Sequence, residues 1–395
     1  MRDNSVFLRL DRALQGGWDR WMLSLEREDP RAFLMEMVRA LKGDPADGSG
    51  KTIENKHRYM GLGPTIAWLL TSKDPSYPVA YDSIASFGRI WDDCQDVLGD
   101  VPYHYVSLGV GTGDKDRHVI DRLQTRNPNM LYVGLDISSA MLNLGTQETR
   151  LRIPGRTLLI ELDFEERSSL SALSEFLDRF VEDEPILYSL LGNSLGNIED
   201  DRSFLQTLAG MLRPQDRLAL EVATATTLDK EAARTAAAER SGSRLYNEFA
   251  TAALAMYTDL TIDTNWLSYQ ACIDDDFAIR VEGYYVNRSG GDIPLMLPNR
   301  EIVPYRAGEG IRVLLGRRYS PQGLQTLLGL AGLVDVAVDR HRGAVPVWQS
   351  PDVQGFASTL MLLQRAESAS TVPIVPLARV WGQHPQAQSQ SRGSD

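Results

Sequence analysis

The length, composition and charge of the chain limit its class. It has 395 residues, of which 43% are hydrophobic and 24% charged, and these ordinary globular values argue against a disordered or fibrous protein. The formal net charge of -12 disfavours nucleic acid and anionic membranes as partners, because neutralising phosphates needs clustered Lys and Arg. The length exceeds one average domain, although a single α/β domain with a large insertion reaches it.

The chain contains two cysteines, Cys94 and Cys272, far apart in the sequence. Neither a disulfide framework nor a four-thiolate zinc site can be built from them, and the histidines show no metal-ligand spacing. The N-terminal stretch lacks the apolar run of a signal peptide, and no window approaches the roughly 20 apolar residues that span a bilayer. We therefore expect a soluble cytoplasmic protein without a metal site.

The first predicted elements are helices. Apolar residues recur at helical spacing in SVFLRLDRAL and RAFLMEMVRAL, which predicts a helical arm over residues 1–50. Trp18 and Trp21 lie close together in this arm and could pack on the body of the protein or on a second subunit, so a homodimer is possible. A further helix is predicted to begin near Pro64 and to end before Pro75.

From YHYVSLGV onward, predicted strands and helices alternate with short connections, which indicates a mostly parallel, Rossmann-like sheet with helices on both faces. This pattern stops after Thr224, where two helix-prone stretches and the strands FAIRVEGYYVNR and GIRVLLGRRYS indicate an insertion. The predicted organisation, in chain order, is a helical arm (1–50), a Rossmann-like domain with a preceding substrate-side segment (51–225), an inserted α+β substrate lobe (226–318), the last helix and strands of the Rossmann-like domain (319–365) and a disordered tail (366–395).

A glycine-rich turn follows the first strand of the predicted sheet, in VSLGVGTGDKDRHVI. Glycines let the backbone approach a ligand closely, and the helix that follows offers unpaired N–H groups. Gly109, Gly111 and Gly113 form G-x-G-x-G, whereas the dinucleotide fingerprint G-x-G-x-x-G needs a glycine where Asp114 stands. The shorter turn is typical of class I methyltransferases that use S-adenosylmethionine (SAM), and it predicts SAM as cofactor and S-adenosylhomocysteine (SAH) as product.

Two carboxylates end the next two predicted strands. Asp136 ends the second strand, where it suits the two ribose hydroxyls of the cofactor, because a carboxylate accepts two hydrogen bonds from a diol. Asp163 ends the third strand, where it suits the adenine amino group, and Phe164 would pack near the adenine ring. Either aspartate alone could cap a helix or sit in a loop. Their ordered recurrence at the carboxyl ends of successive strands favours a ligand site.

The motif GVGTGDKDRHVI resembles the first motif of the histidine-specific methyltransferase family of the ergothioneine pathway. Members of that family pair a Rossmann-like domain with an inserted substrate lobe, and the resemblance covers about residues 55–365. It implies that Lys115 contacts the methionine carboxylate of the cofactor, an ammonium opposite a carboxylate.

Two further stretches resemble the acceptor side of the same family. KHRYMGLGPTIAWLLTSKDPSYP implies that Tyr59 and Tyr77 enclose and orient an amino-acid substrate, and LLGNSLGNIED implies that Asn197 binds its amino-acid head. Asn193, on the same turn, is a further candidate for contacting the cofactor. Asn193 and Ser194 are weaker candidates on the acceptor side.

The chain departs from the family pattern at three positions. Ser107 replaces an acidic residue that often precedes the glycine loop. Leu314 and Gly316 stand where the family has an acidic residue and a hydroxyl that hold the imidazole of histidine. An imidazole would lose polar partners worth about 1–3 kcal/mol each when buried. The resemblance therefore implies N-methylation of an amino acid, or of an amine derived from one, with histidine disfavoured as the acceptor.

Two alternatives stay open at this point. A methyltransferase-like fold can retain the cofactor and serve as a regulatory or partner subunit without activity. An open groove across the inserted lobe would instead admit a peptide or protein side chain. Intact Lys115, Asp136 and Asp163 favour an enzyme over a regulator.

Overall fold

The computed structural model describes residues 21–24, 30–43, 50–275, 277–336, 348–349 and 355–366. Its helices are α1 (Pro30–Lys42), α2 (Leu62–Thr71), α3 (Pro78–Cys94), α4 (Asp114–Arg126), α5 (Ser139–Gly145), α6 (Gln147–Arg152), α7 (Arg167–Val181), α8 (Asp201–Met211), α9 (Lys230–Ser241), α10 (Arg244–Tyr257) and α11 (Pro321–Ala331). Its strands are β1 (Trp21–Ser24), β2 (His104–Leu108), β3 (Tyr132–Asp136), β4 (Thr157–Glu161), β5 (Ile186–Leu190), β6 (Arg217–Ala225), β7 (Leu267–Asp274), β8 (Ala278–Val286), β9 (Ile293–Met296), β10 (Ile302–Tyr305), β11 (Gly310–Tyr319), β12 (Leu333–Asp335), β13 (Trp348–Gln349) and β14 (Phe356–Arg365).

Strands β2 to β6 form the parallel centre of the main sheet. Their order is β4-β3-β2-β5-β6, which is the order 3-2-1-4-5 of a Rossmann-like sheet when β2 is counted first. The ladders between these strands are parallel. β14 runs antiparallel beside β6 and pairs with β12 as well. The predicted α/β fold class, a Rossmann-like class I methyltransferase sheet, is confirmed.

Helices cover both faces of this sheet because successive strand residues point to opposite sides. On one face Val106 and Leu108 of β2 pack in a cluster with apolar residues of α7, α8 and α11. On the other face Tyr105 packs with apolar residues of α3 and α4. Burying each such large apolar side chain contributes roughly 1.5–3 kcal/mol, so two packed layers hold the strand ends in place.

The register brings the carboxyl ends of the central strands to one edge. Leu108 pairs with Leu135, and Leu135 pairs with Ile160, so β2, β3 and β4 end at nearly the same level. The loops that follow these strands therefore lie side by side. The carboxyl edge of such a sheet is where α/β proteins bind ligands.

The segment between β6 and α11 adds to the same sheet. β11 joins β6 through one parallel pair, Tyr319 with Thr224, and β8 and β7 extend the sheet antiparallel beyond β11. Helices α9 and α10 and strands β8 and β11 confirm the elements predicted in this segment, whereas β7, β9 and β10 were not predicted. The division into an inserted lobe and a returning domain stays a prediction.

The structure corrects part of the predicted helical arm over residues 1–50. Residues Trp21–Ser24 form β1, parallel to β4, so the helical prediction is wrong there. Without β1, β4 would present a row of unpaired backbone groups at the sheet edge. α1 confirms the second predicted helix, while the first predicted helix, Trp18 and the predicted tail beyond residue 366 lie outside the described residues.

The stretch before the sheet contains one predicted and one unpredicted helix. α2 agrees with the helix predicted between Pro64 and Pro75. α3 follows it without having been predicted, and it begins at Pro78, a residue favoured in the first helical turn because its ring fixes a helical φ. Among the described helices, none has the length and apolar composition that spanning a membrane would require.

Candidate cofactor and acceptor pocket

A cavity opens at the carboxyl edge of β2 to β6, between the sheet and helices α2, α3 and α10. All of the predicted site residues line it: Tyr59, Tyr77, Gly109, Gly111, Gly113, Lys115, Asp136, Asp163, Phe164, Asn193 and Asn197. The structure thus brings together residues that are up to 138 positions apart in the chain. The role of each individual residue stays a prediction.

The glycine loop connects β2 to α4 in a conformation that suits glycine. Gly109, Gly111 and Gly113 have φ angles of 79°, 52° and 72°, in the left-handed region that residues with a Cβ rarely adopt. A Cβ on Gly113 would overlap the carbonyl oxygen of Gly145 at the end of α5. A Cβ on Gly111 would instead point into the cavity, where its nearest neighbour is Trp68 Nε1 at 3.9 Å. The loop therefore leaves room for a ligand above its backbone.

Asp136 lies at the end of β3 and is held by backbone donors. Its Oδ1 accepts a hydrogen bond from the N–H of Ser138 at 3.0 Å, and the N–H groups of Gly111 and Ile137 also donate to it. Burial raises the pKa of Asp136 to about 7, and these hydrogen bonds only partly offset that effect. The carboxylate is thus oriented and poorly solvated, as a group that binds ribose hydroxyls would be.

Asp163 follows β4 and is already paired in the described structure. Its Oδ2 lies 3.1 Å from Nζ of Lys56, and its Oδ1 accepts from the N–H of Glu165 at 3.0 Å. Phe164 lies beside the glycine loop, since a Cβ on Gly109 would be 3.6 Å from the Phe164 ring. An adenine ring between this phenyl group and the loop would have Asp163 at its edge.

Lys115, in the first turn of α4, forms a buried ion pair that the sequence reasoning missed. Its Nζ lies 2.5 Å from Oε2 of Glu221 on β6 and also donates to Ser83 of α3. Glu221 further accepts from the N–H of Gly192 at 2.8 Å. Burial by itself would raise the pKa of Glu221, but Lys115 and the hydrogen bonds hold it below its ordinary value. A glutamate within the apolar strand RLALEVAT was the signal for this partner.

Aromatic rings form the acceptor side of the cavity. Tyr59 packs edge-on against Trp68 with ring centroids 5.8 Å apart, and Phe249 lies 5.4 Å from Tyr59. Tyr77 stacks on Tyr246 of α10 at 4.3 Å. Burial raises the pKa of both Tyr59 and Tyr77, so their hydroxyls stay protonated at neutral pH.

The turn after β5 carries the two asparagines. Asn193 has a φ of 63°. Its Oδ1 accepts from the N–H of Ala223 at 2.8 Å, and its Nδ2 donates to the carbonyl of Arg317 at 3.2 Å. The carbonyl oxygen of Asn197 accepts from Nδ2 of Asn55 at 2.5 Å. The Asn193 side chain thus supports the turn, and among the described residues the side-chain amide of Asn197 has no hydrogen-bond partner.

The structure shows which residues surround the three positions at which the chain departs from the family pattern. Ser107 is buried and donates to Oδ1 of Asp116 at 3.1 Å, and Asp116 of α4 lines the cavity. Leu314 is buried in the apolar cluster that contains Tyr77 and Tyr246. A Cβ added to Gly316 would lie 2.5 Å from Nη2 of Arg240. The structure thus places a guanidinium beside Gly316.

A protein-family model described as histidine-specific, SAM-dependent methyltransferases matches residues 86–342, which is more than half of the chain. The chain belongs to this family. The histidine-specific methyltransferase model spans the glycine loop, both aspartates and the lobe segment, whereas Tyr59 and Tyr77 precede the matched range.

Individual proteins are also similar to this chain. The histidine N-alpha-methyltransferase of Mycobacterium tuberculosis (strain CDC 1551 / Oshkosh) is 26% identical over 310 residues, 74% of this chain and 89% of the relative. A SAM-dependent methyltransferase from Clostridium acetobutylicum ATCC 824 is 12% identical, covering 72% of this chain and 92% of its own, with a TM-score of 0.36. Magnesium protoporphyrin IX methyltransferase from Synechocystis PCC 6803, solved with bound SAH, is 10% identical, covering 78% and 97%, with a TM-score of 0.39. By its family membership the protein is a SAM-dependent methyltransferase.

Proposed function

We propose that this methyltransferase N-methylates an amino acid, or a small amine derived from one, in a biosynthetic pathway. The observation that carries the proposal is that one cavity joins the glycine loop and strand-end carboxylates to an aromatic enclosure with the amide of Asn197. The related mycobacterial enzyme, named as a histidine N-alpha-methyltransferase, supports an α-amine as the acceptor. A cytoplasmic location, a homodimer and catalysis without a metal belong to the same proposal.

The residues around the glycine loop fit SAM. Gly111 leaves space that a side chain would fill, Asp136 presents an oriented carboxylate for the ribose hydroxyls, and Lys115 presents an ammonium for the methionine carboxylate. An ammonium has three donors, of which Glu221 and Ser83 take two. One donor of Lys115 therefore remains for the cofactor.

When bound, SAM supplies an electrophilic methyl carbon on a sulfonium. The chain's task is to hold the acceptor nitrogen about 3 Å from that carbon, in line with the bond to sulfur, and to exclude water. Tyr59, Tyr77 and Asn197 would orient the amine through its N–H groups and lone pair. Bulk water takes the proton that the methylated amine loses, so no buried general base is needed.

The enclosure favours a small acceptor over a peptide. Tyr77 is only 5% exposed, and the rings of Trp68 and Phe249, 5.0 Å apart, pack beside Tyr59. Leu314 and Gly316 offer no hydrogen-bonding side chain to an imidazole, which argues against histidine as the preferred acceptor.

The experiment is to incubate the full chain with SAM and each protein amino acid, and to measure SAH formation and the mass of the methylated product. We expect SAH to form with at least one amino acid, with the methyl group on its α-nitrogen, and histidine to be a poor acceptor. Methylation of a peptide or of an oxygen atom, with every free amino acid inert, would contradict the proposal.

A further inference from the structure

Two buried arginines line the cavity. Arg58, at the 3₁₀ turn Asn55–Tyr59, is 2% exposed, and Arg240, on α9, is 3% exposed. Both belong to the cavity wall. The Nε atom of each is buried without a hydrogen-bond partner.

Neither guanidinium forms an ion pair with a carboxylate among the described residues; the charge of Glu239 attracts Arg240, but its carboxylate pairs with Arg318. Arg58 lies near two aromatic rings, with Cζ 5.2 Å from the centroid of Phe249 and 5.8 Å from that of Tyr59. Arg240 donates to the hydroxyl of Tyr246, and its Cζ is 5.5 Å from that ring's centroid. Ring contacts and one neutral acceptor satisfy few of the five N–H donors that each guanidinium carries.

Other buried cations in the described structure are paired. Lys51 lies 2.8 Å from Glu309, and Arg317 lies 3.1 Å from Asp274. Arg318 lies 2.5 Å from Glu239. The lack of an anion at Arg58 and Arg240 is therefore a property of the cavity and not of this protein's interior in general.

A buried cation without an anion is costly. Arginine stays protonated in proteins, and an uncompensated buried charge carries a desolvation penalty that a partner carboxylate offsets. A ligand carboxylate would satisfy a guanidinium in the two-pronged geometry that arginine favours. The free enzyme thus carries an unfavourable charge arrangement that an anionic ligand would relieve.

The two arginines lie against different rings of the cavity wall. Arg58 lies against Phe249 and Arg240 lies against Tyr246, and these two rings are 6.3 Å apart. The charges of both arginines act to lower the pKa of the Tyr59 hydroxyl, a predicted acceptor contact, although burial outweighs them. One carboxylate pairs in a bidentate manner with one guanidinium, so two guanidiniums fit an acceptor with two anionic groups.

We propose that the acceptor is an amino dicarboxylate or a similar amine with two anionic groups, bound by Arg58 and Arg240. The inference rests on the proposed function, since it names the acceptor class of the same pocket. Gly316 is part of the arrangement, because any side chain there would displace the Arg240 guanidinium.

The test compares acids with their neutral counterparts on the full chain. The pairs are L-aspartate with L-asparagine, L-glutamate with L-glutamine, and L-2-aminoadipate with L-norleucine. For each compound we measure kcat/KM for SAH formation, and for each enzyme Kd of the enzyme–SAH complex. We expect at least one acid to exceed its neutral counterpart by about tenfold or more, the effect of a lost charged partner. Acids within about threefold of their counterparts in every pair, or no acid binding at all, would overturn the inference.

Variants assign the preference to the arginines. One of R58Q and R240Q, the variant that removes the partner of the side-chain carboxylate, is expected to lower the acid-to-neutral ratio by about tenfold. The other removes the partner of the α-carboxylate that both amino acids share, so it should lower kcat/KM for the acid and the neutral amino acid alike. Kd for SAH should stay within about threefold of wild type in both variants. The control is R234Q on the same helix α9, where the Arg234 side chain is 77% exposed and the ratio should not change. Because the ratio is taken within one variant, a general loss of folding or activity does not alter it. An unchanged ratio in both R58Q and R240Q would refute the assignment.

Failure of this inference and failure of the proposed function give different results. If SAH binds and a neutral amino acid is the preferred acceptor, amino-acid N-methylation stands and the dicarboxylate class is refuted. If SAH does not bind to the wild-type chain, the proposed function itself fails.

Discussion

Lys115 and Glu221 form a buried ion pair, with Nζ of Lys115 2.5 Å from Oε2 of Glu221. The pair joins the first turn of α4 to the middle of β6. The Lys115 side chain is 11% exposed and the Glu221 side chain 3%, so solvent screens the pair little. It fixes the ammonium at the place where the methionine carboxylate of SAM is expected.

Removal of Lys115 should destabilise the fold as well as weaken cofactor binding. In Lys115→Met, Glu221 becomes an uncompensated buried carboxylate, and we expect the free energy of unfolding to fall by about 3–5 kcal/mol in urea titrations. The double variant Lys115→Met with Glu221→Leu should regain most of this loss and still bind SAH weakly. A loss below about 1 kcal/mol in the single variant would show that the pair is not the buried one described here.

Cofactor affinity should rise with pH through the titration of Asp136. Burial raises the pKa of this carboxyl to about 7, and only the ionised form accepts from both ribose hydroxyls. We therefore expect Kd for SAH to fall by about tenfold from pH 6 to pH 8. Calorimetry on Asp136→Asn should show weak binding without this pH dependence, and the exposed Asp121→Asn should resemble wild type.

Ionisation of Asp136, which should strengthen cofactor binding, should destabilise the ligand-free fold. The folded protein holds the Asp136 proton more tightly than the unfolded chain does. The contribution of this proton to the free energy of unfolding is therefore fully present below the ordinary pKa of 3.8, and it is lost as the pH rises through about 7. Asp136→Asn should therefore raise Tm of the ligand-free protein more at pH 8 than at pH 5. An equal change in Tm at both pH values would contradict the raised pKa.

Loss of a tyrosine hydroxyl should affect the acceptor and not the cofactor. We expect Tyr59→Phe and Tyr77→Phe to lower kcat/KM for the acceptor by about tenfold to a hundredfold, with Kd for SAH within about twofold of wild type. Tyr257→Phe on α10, whose ring is 6.5 Å from Phe33 and away from the cavity wall, serves as control. Equal losses in cofactor and acceptor binding would place these tyrosines in a structural role.

Gly113 should tolerate a methyl group less well than a comparable loop glycine. Gly113 and Gly332 share the left-handed helical conformation, with φ angles of 72° and 76°, but a Cβ on Gly113 would overlap the Gly145 carbonyl, whereas a Cβ on Gly332 would meet nothing within 4 Å. Gly332→Ala isolates the backbone cost of about 1 kcal/mol. Gly113→Ala should lose at least about 2 kcal/mol more, and equal losses in urea unfolding would contradict the described packing.

The central sheet and the cofactor side of the pocket could be predicted from the sequence. Alternating strand and helix patterns predict the order of elements because connection rules leave few topologies. The glycine spacing, Asp136 and Asp163 could be placed together because the carboxyl ends of parallel strands meet at one edge.

Other features depend on tertiary partners that a local pattern does not reveal. β1 is a strand because β4 offers an open edge, not because of its own composition. Arg240 lies in the alanine-rich stretch TAAAERSGS, where an arginine suggests an exposed helix face, yet the packing of α9 near β11 buries it beside Gly316. Arg58 adjoins the predicted Tyr59, but nothing in the spacing indicates that its guanidinium lacks an anion.

Calorimetric titration of the full chain with SAH and SAM, repeated on Asp136→Ala, tests the central claim most directly. The account predicts micromolar binding of both ligands to the wild-type protein and a loss of at least about tenfold in the variant, since a buried charged acceptor is removed. No binding to the wild-type protein, or equal affinity in the variant, would contradict it.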